Sequence, residues 1–506
     1  MLKKIIKEIN LSSLRKKFKN KKIILCHGAF DVLHLGHINQ FKNAKKLGDI
    51  LIVSITEDKF INKSPASPYF KSNIRAEMLS NLEIIDFVTV SDNSSAINVL
   101  KFLKPNFYVK GEEYKRYDNV GNLKKEIKFC KQNKILIKFI GKKINSSSSI
   151  IKNKFLINNH YEKNLIKKIL KNKIDINLFD KALDQIKKLK ILVLGDIIID
   201  LYTYVNSRSI SSKSGTISYL MNKREFMMGG ALASYKYISQ FNKDVKFISL
   251  GNKNYLRKKN ININKNKNII LFGSKKNKNI IKEKYILKNE NKTFRKIFAV
   301  NNVEKIILSI QDKLKYSNYL NKEIPKYDIV ITQDFGHGAI DSDVSKIIQK
   351  KSKLLSLNCQ TNSINFGNNI IGKKFKKTDI LSLDKAELEM YQQQKSTNLN
   401  YEVKNIHKKM KCKKTYLTCG KDSAILYNKN KIIDCETINQ RALDAVGAGD
   451  IFHSTVSIFE KTKINNFYKM LVAQIAGGIA SNIVGNSRPP NINEIRQHLS
   501  YFISEK

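Results

Sequence analysis

GAFDVLHLGH, residues 28–37, follows the apolar run IILC at 23–26. A strand that ends on glycine and leads into a helix start leaves backbone N–H groups unpaired, and the helix dipole adds partial positive charge at the same place. Both favour an anion, so the stretch outlines a phosphate site. His34 and His37, separated by Leu35 and Gly36, can donate hydrogen bonds to a phosphorus centre that gains negative charge in its transition state. A lone histidine pair is more often structural. The whole string, G-x-F-D-x-x-H-x-G-H after a strand, makes the structural reading the weaker one.

Further landmarks follow in order. AKKLGDILIVSITED (44–58) reads as the end of a helix and a second strand, Arg75 stands in NIRAEML, and Asp86 in LEIIDFVTV. Lys110 and Gly111 form a lysine-glycine step in KPNFYVKGEEY, and SSSSII begins at Ser146. Together these resemble the cytidylyltransferase-like nucleotidyltransferases, whose signature is H-x-G-H, across about the first 150 residues. The resemblance implies a Rossmann-like domain in which a phosphorylated acceptor attacks the α-phosphate of ATP or CTP and releases pyrophosphate. It implies His34 and His37 as catalytic, and Gly28, Phe30, Asp31, Arg75, Lys110, Ser146, Ser147 and Ser148 as nucleotide- or phosphate-binding. Ser67-Pro68 replaces the Arg-Pro of related sugar-phosphate enzymes, and Glu113 replaces an aspartate after the lysine-glycine step. H-x-G-H does not choose between ATP and CTP, so a CTP-dependent enzyme for an alditol or glycerol phosphate stays open.

The chain has 506 residues, room for two or more domains, and a formal net charge of +50. Such a charge raises the question of nucleic acid or an anionic membrane. Lysine, asparagine and isoleucine are abundant everywhere, including KNKNIILFGSKKNKNIIKEK, and tryptophan is absent. No basic stripe interleaves with aromatic residues, so no nucleic-acid partner is expected. Positive charge still speeds encounter with anionic substrates. Cysteines 26, 130, 359, 412, 419 and 435 form no C-x-x-C, which predicts no zinc site and reduced thiols in a cytoplasmic protein. The basic, amphipathic start MLKKIIKEINLSSLRKKFKNKK predicts a helix packed on the first domain rather than a secretory signal. No run reaches the roughly 18 apolar residues of a membrane span.

Between about 152 and 188 strand-like runs disappear, and INLFDKALDQIKKLK reads as an amphipathic helix. This predicts a helical connector at 153–188 between domains at 1–152 and 189–506. Alternation of strand and helix then resumes from KILVLGDIIIDLY and predicts a second, mainly parallel α/β sheet. Near its end stands ALDAVGAGDIFHS, with Asp444, Gly447, Ala448, Gly449 and Asp450. Small residues let successive N–H groups approach a transferring phosphoryl group. The following helix aims its N-terminus at the same anion, and Asp450 can accept a proton from an attacking hydroxyl.

From about Lys190 onward the chain resembles the ribokinase-like (PfkB-type) sugar kinases, a fold of α/β sandwich type. GDIIID supplies Asp196 and Asp200, and MMGGALAS supplies Gly229 and Gly230, which the resemblance places on the sugar side. Asp334 matches the end of a middle strand; Thr418, Gly420 and Asp422 match a nucleotide-side turn. Glu387, with Asp384, lies where the family has an N-x-x-E motif near magnesium and phosphate. Ala233 replaces an expected asparagine, and Asn358-Cys359-Gln360 replaces a D-P-K-type segment. A degenerate kinase half is one consequence to weigh. The two halves, with SRSISS at 207–212, together resemble the bifunctional heptose-phosphate kinase and adenylyltransferase family in reversed order. That likeness implies ATP, magnesium, a sugar phosphate and an ADP-heptose-like product for surface polysaccharide; a homodimer is left open.

Overall fold

The apolar runs IILC and ILIVSI can lie in a sheet only where both faces are covered, because alternation between polar and apolar positions is missing from them. In a computed structural model the described residues are 4–61, 68–112, 122–140, 160–210, 213–258, 267–273, 280–288, 294–302, 306–361, 369–438 and 442–504. The chain divides into two units, Met1–Lys163 with Arg496–Lys506, and Asn164–Ile495.

The first unit contains β1 (Ile5–Lys7), β2 (Ile23–Gly28), β3 (Ile50–Thr56), β4 (Phe87–Ser91), β5 (Phe107–Lys110) and β6 (Leu136–Phe139). They form one sheet in the order β1-β4-β3-β2-β5-β6, parallel throughout. Helices on its two sides bury separate cores, one around Phe41, Val53 and Leu79, the other around Leu25, Leu100 and Tyr108. The chain runs from β2 to β3 on one side and returns to β5 on the other. The crevice beyond the carboxyl ends of β2 and β5 is therefore a topological switch point, where open α/β sheets bind ligands. The N-terminal segment is more than the expected helix: β1 pairs with β4, and only then does Leu11–Lys17 turn helical, with Leu11 wholly buried.

The second unit opens with β7 (Ile191–Gly195), β8 (Ile197–Ile210), β9 (Ile217–Gly229), β10 (Val245–Leu250), β11 (Ile269–Phe272), β12 (Ile280–Lys288) and β13 (Phe294–Asn302). It continues with β14 (Ile329–Asp334), β15 (Leu355–Cys359), β16 (Ile380–Asp384), β17 (Lys414–Thr418), β18 (Ser423–Asn428) and β19 (Lys431–Glu436). Nine strands form the main sheet, β11-β10-β7-β14-β15-β16-β17-β18-β19, parallel up to β17 and antiparallel at its last two pairings. A smaller sheet, β13-β12-β8-β9, was not foreseen. The chain passes from β7 to β8 across the single residue Asp196, which places Asp196 and Asp200 where the two sheets diverge.

The expected connector needs correction. Asn164 already belongs to the second unit, and the helix Ile176–Ile186 is packed into it. Phe179 stacks on Phe459 with ring centroids 5.9 Å apart, and Asn242 donates to the Ile186 carbonyl at 2.7 Å. An amphipathic helix buries its apolar face on the nearest core, and here that core is the second unit's. Among the described residues no helix is long and apolar enough to cross a membrane.

Candidate active sites

In the first unit the predicted strand-to-helix turn is present. His34 caps the helix Leu35–Lys45, and its Nδ1 accepts from the Gly36 N–H at 3.1 Å. An accepting Nδ1 carries no proton, so in the neutral ring the proton lies on Nε2. His37, one turn on, stacks against His34 with centroids 3.8 Å apart and planes at 24°. The Phe30 ring meets His37 edge-on at 5.2 Å. Phe30 adopts φ 45°, the left-handed region that non-glycine residues enter at a cost of about 1–2 kcal/mol. A Cβ at Gly28 would stand 3.2 Å from the Phe30 ring, so this position favours glycine for room rather than conformation.

Two of the expected phosphate ligands are committed elsewhere. Asp31 accepts from the Tyr69 and Phe70 N–H groups at 2.7 and 2.8 Å, and so pins the loop before the helix Ser72–Ser80. Arg75 is 1% exposed. Its guanidinium donates to the carbonyls of Ala29 (2.5 Å), Thr56 (2.9 Å) and Phe70 (2.9 Å) and to the Asp58 carboxylate (2.6 Å). Both hold the GAFD turn from below instead of meeting a phosphate. Asp86 likewise anchors β3, accepting from the Leu51 N–H at 2.6 Å and from Lys45.

Lys110, at the end of β5, is buried; its Nζ lies 3.6 Å from Glu126 and donates to the His27 carbonyl at 3.4 Å. Glu126 also accepts from Ser95, the Ala96 N–H and the Tyr108 hydroxyl. Burial alone would raise this carboxyl, but Lys110, His27 and those donors outweigh it and hold it below its ordinary value. Sequence reading missed Glu126, although it falls in line with Leu123 and Cys130 on the buried face of its helix. Ser146, Ser147, Ser148 and Glu113 lie outside the described residues.

In the second unit Gly447 caps the helix Ala448–Phe459 at φ 80° and ψ −3°. A Cβ there would stand 2.3 Å from the Asn486 amide, whereas Gly449 faces open space. Asp450, in the helix's first turn, is buried and accepts from Gln360 Nε2 at 2.5 Å. Burial pushes its carboxyl up to about 7; the Asp200 charge adds to this, while Lys282 and Gln360 oppose it. A carboxylate with this pKa beside an N–H cradle is suited to take a proton near neutral pH.

Upstream, Asp444 ties the cradle to the smaller sheet. It accepts from Tyr202 of β8 and Lys296 of β13, both at 2.6 Å, and from the Gly485 N–H at 3.0 Å. Burial would raise it; Lys296 and Tyr202 hold it below the usual carboxylate range.

On the expected sugar side, Asp200 accepts from Lys284 at 2.9 Å, and a Cβ on Gly229 would stand 2.3 Å from Asp200 Oδ2. Gly230 adopts φ 57°, and a Cβ there would meet the Asp196 carbonyl at 2.6 Å. The Asp196 side chain is a correction. Its carboxylate accepts the N–H groups of Phe335 (2.9 Å), His337 (3.1 Å) and Ala339 (2.9 Å), folding the loop after β14. It builds the site's floor and is not presented to a ligand. Asp334 is similarly engaged, by Lys374 at 2.5 Å.

Asp384 and Glu387 form a reciprocal helix cap: Asp384 accepts the Glu387 N–H at 2.7 Å, and Glu387 accepts the Asp384 N–H at 2.8 Å. Thr361 adds a backbone hydrogen bond to Glu387, whose carboxyl burial and the charges of Asp384 and Asp450 raise. These oxygens do not fit a ready magnesium cage, and among the described residues no group of three or more His, Cys, Asp or Glu is disposed to hold a metal. Thr418 pairs in register with Asp384, and Gly420, at φ 60°, makes the turn after it, its carbonyl accepting from Thr437 at 3.0 Å.

Residues 25–154 match the family described as cytidylyltransferase-like. The bifunctional protein HldE of Nitratiruptor sp. is 35% identical over 131 residues, 25% of this chain and 28% of that protein. The same-named protein of Campylobacter fetus is 38% identical over 111 residues, 22% and 24% of the two chains. The chain thus spans about a quarter of the length of the curated relatives it matches. Two solved structures align with 62% of this chain: Escherichia coli phosphofructokinase-2 (12% identity, TM-score 0.48, 99% of that chain) and Arabidopsis thaliana ribokinase (16%, 0.46, 98%). The likeness to the cytidylyltransferase-like family thus lies within residues 25–154.

Proposed function

We propose that the chain is a bifunctional transferase that phosphorylates a sugar phosphate and joins a sugar 1-phosphate to a nucleotide. The observation that carries this reading is the presence, on one chain, of the stacked His34–His37 pair at a strand-to-helix turn and of Asp450 behind the Gly447–Gly449 cradle. A kinase makes a phosphate ester and a nucleotidyltransferase consumes one, so the two sites are chemically consecutive.

In the kinase half, Asp450 takes the proton of the anomeric hydroxyl as its oxygen attacks the γ-phosphorus of ATP; ADP leaves. The N–H groups of residues 447–449 face the charge that spreads over the transferred oxygens. Magnesium brought with the nucleotide would neutralise charge on its phosphates. In the transferase half, the sugar 1-phosphate attacks the α-phosphorus of ATP and pyrophosphate leaves. His34, with its proton on Nε2, and His37 support the oxygens of that centre, and Lys110 supplies positive charge from β5. The resemblance of the two halves to the heptose-phosphate kinase and adenylyltransferase family supports a heptose phosphate as acceptor and an ADP-heptose-like product for surface polysaccharide. ATP as co-substrate and cysteines without a C-x-x-C pair support a cytoplasmic location.

The test is mass spectrometry of products from the purified protein with magnesium, ATP, CTP and heptose 7-phosphate. Heptose 1,7-bisphosphate is the expected first product, and an ADP-linked heptose phosphate would show both halves acting in sequence. A CDP-linked product would assign the transferase to CTP. No new sugar product would reject heptose 7-phosphate as the substrate.

A further inference from the structure

Two strands of the smaller sheet reach the loop that opens the phosphoryl cradle, and both end on one carboxylate. Asp444 stands three residues before Gly447 and is buried. Its Oδ2 accepts from the Tyr202 hydroxyl of β8 and from the Gly485 N–H. Its Oδ1 accepts from Lys296 of β13 at 2.6 Å and from the Val446 N–H at 3.2 Å, so the charge lies at the edge of the cradle. Among the described residues Lys296 is the one cation paired with it. Lys296 is half-exposed, whereas the carboxylate it meets is 2% exposed. The strand is shaped for this reach. Tyr285 of β12 pairs with Phe298 and Ile286 with Lys296, so β13 carries Ile297 as an extra residue. Such a bulge bends its strand and re-aims the neighbouring side chains. An ionised carboxylate beside the cradle works against the reaction. The transferred phosphoryl group is itself anionic, and like charges brought together away from water repel strongly.

We propose that Lys296 is a positioning residue of the kinase site: it cancels the charge of Asp444, which then holds the cradle loop without repelling the γ-phosphoryl group. The proposal rests on the kinase reading above. It gives the smaller sheet a task on the nucleotide side, besides the acceptor side where Asp200 and Gly229 stand. Asp444 does the holding, through the Val446 and Gly485 N–H groups; Lys296 supplies charge. Its effect therefore falls on ATP and spares ADP, which lacks the phosphoryl group that the cradle receives. Removing the lysine alone leaves a bare carboxylate beside the cradle, whereas removing both charges restores neutrality. A variant without either charge should thus bind ATP better than one without the lysine.

The experiment follows transfer of the labelled γ-phosphoryl group of ATP to heptose 7-phosphate, with ADP as competing product inhibitor. It uses the full-length protein, Lys296→Met, Lys296→Arg, and the double variant Lys296→Met with Asp444→Asn. In Lys296→Met the KM for ATP should rise about tenfold or more, the scale of one uncompensated charge about 10 Å away inside a protein. The kcat, the KM for heptose 7-phosphate and the inhibition constant of ADP should hold. Lys296→Arg and the double variant should each recover most of the loss. Equal weakening of ATP and ADP would overturn the proposal, because a loosened loop disturbs both nucleotides. An unchanged KM for ATP, or a double variant no better than Lys296→Met, would overturn it too. If the wild-type protein transfers nothing to heptose 7-phosphate, the acceptor assigned above has failed, and calorimetry without acceptor reads the charge balance instead. A non-hydrolysable ATP analogue should then raise the second unit's unfolding temperature less in Lys296→Met than in wild type, while ADP raises both alike. Equal shifts with the analogue reject the proposal, and a wild-type second unit that responds to neither nucleotide removes the kinase reading and the proposal with it. Each shift is taken from the same variant's nucleotide-free midpoint, which separates it from a folding defect.

Discussion

Gln360 Nε2 donates to Asp450 Oδ1 at 2.5 Å. The contact fixes one oxygen of the carboxylate and leaves the other to meet a hydroxyl. It also opposes the burial that lifts Asp450 to about 7. Kinase kcat/KM should therefore rise with pH through about 7 as Asp450 ionises. Gln360→Ala removes a donor to the charged form, so the acid limb should move to higher pH. A profile measured with both proteins decides this; a limb that does not move would assign the titration to another group.

Asp450 also makes a stability prediction. Its folded pKa lies above the ordinary carboxylate value, so the folded state holds the proton more tightly. That contribution is complete below about pH 4 and is lost as pH rises through about 7. Asp450→Asn cannot ionise. Its second unit should unfold at a higher temperature than wild type at pH 8, the difference should shrink towards pH 5, and kinase turnover should be lost. Calorimetry at the two pH values checks the sign.

Arg75 should behave as a structural residue and not as a nucleotide ligand. Its guanidinium spans the Ala29, Thr56 and Phe70 carbonyls and Asp58 from a buried position. Arg75→Met leaves those acceptors unpaired and should cost about 3–5 kcal/mol, as breaking a buried charged network does. The loss should fall on the first unit's unfolding transition and leave kinase turnover intact. A stable variant with a raised KM for nucleotide would return Arg75 to the binding site.

The stacked histidines give a further mutational test. His37→Ala should lower nucleotidyl transfer by about 10²–10³, the range for removing one transition-state donor, with kinase activity unchanged. His34→Ala should do the same and also loosen the helix start, because the Gly36 N–H loses its acceptor. Loss of kinase turnover in either variant would show that the two sites are not independent.

Local patterns were readable and distant partners were not. GAFDVLHLGH and DAVGAGD each specify a turn and the helix after it within about a dozen residues, so glycine placement and apolar spacing gave both from sequence. Asp31, Arg75 and Asp196 read as ligands because the family resemblances place ligands at those positions. Their partners lie far along the chain: Tyr69 and Phe70 for Asp31, and Phe335, His337 and Ala339 for Asp196. Only the fold reveals that these carboxylates are already satisfied. The smaller sheet was hidden for another reason. IIKEKYILK lacks the strict apolar-polar alternation of a half-buried strand, and nothing local says that Lys282 and Lys284 face Asp200.

Gly229 offers the most direct check on the sugar side. Its backbone, at φ −123°, suits any residue, so the constraint is space alone: a Cβ would stand 2.3 Å from Asp200 Oδ2. Gly229→Ala must therefore displace the Asp200 carboxylate, which is itself held by Lys284. If Asp200 reads the acceptor, the variant should raise the acceptor KM by about tenfold or more while the ATP KM stays the same, since one misplaced hydrogen bond to a charged group is worth about 1.5–3 kcal/mol. Asp200→Asn, which keeps the shape, loses the charge that balances Lys284 and should show the same split. A variant that binds acceptor normally but turns over slowly would move Asp200 from recognition to the reacting centre, beside Asp450, whose pKa its charge already raises.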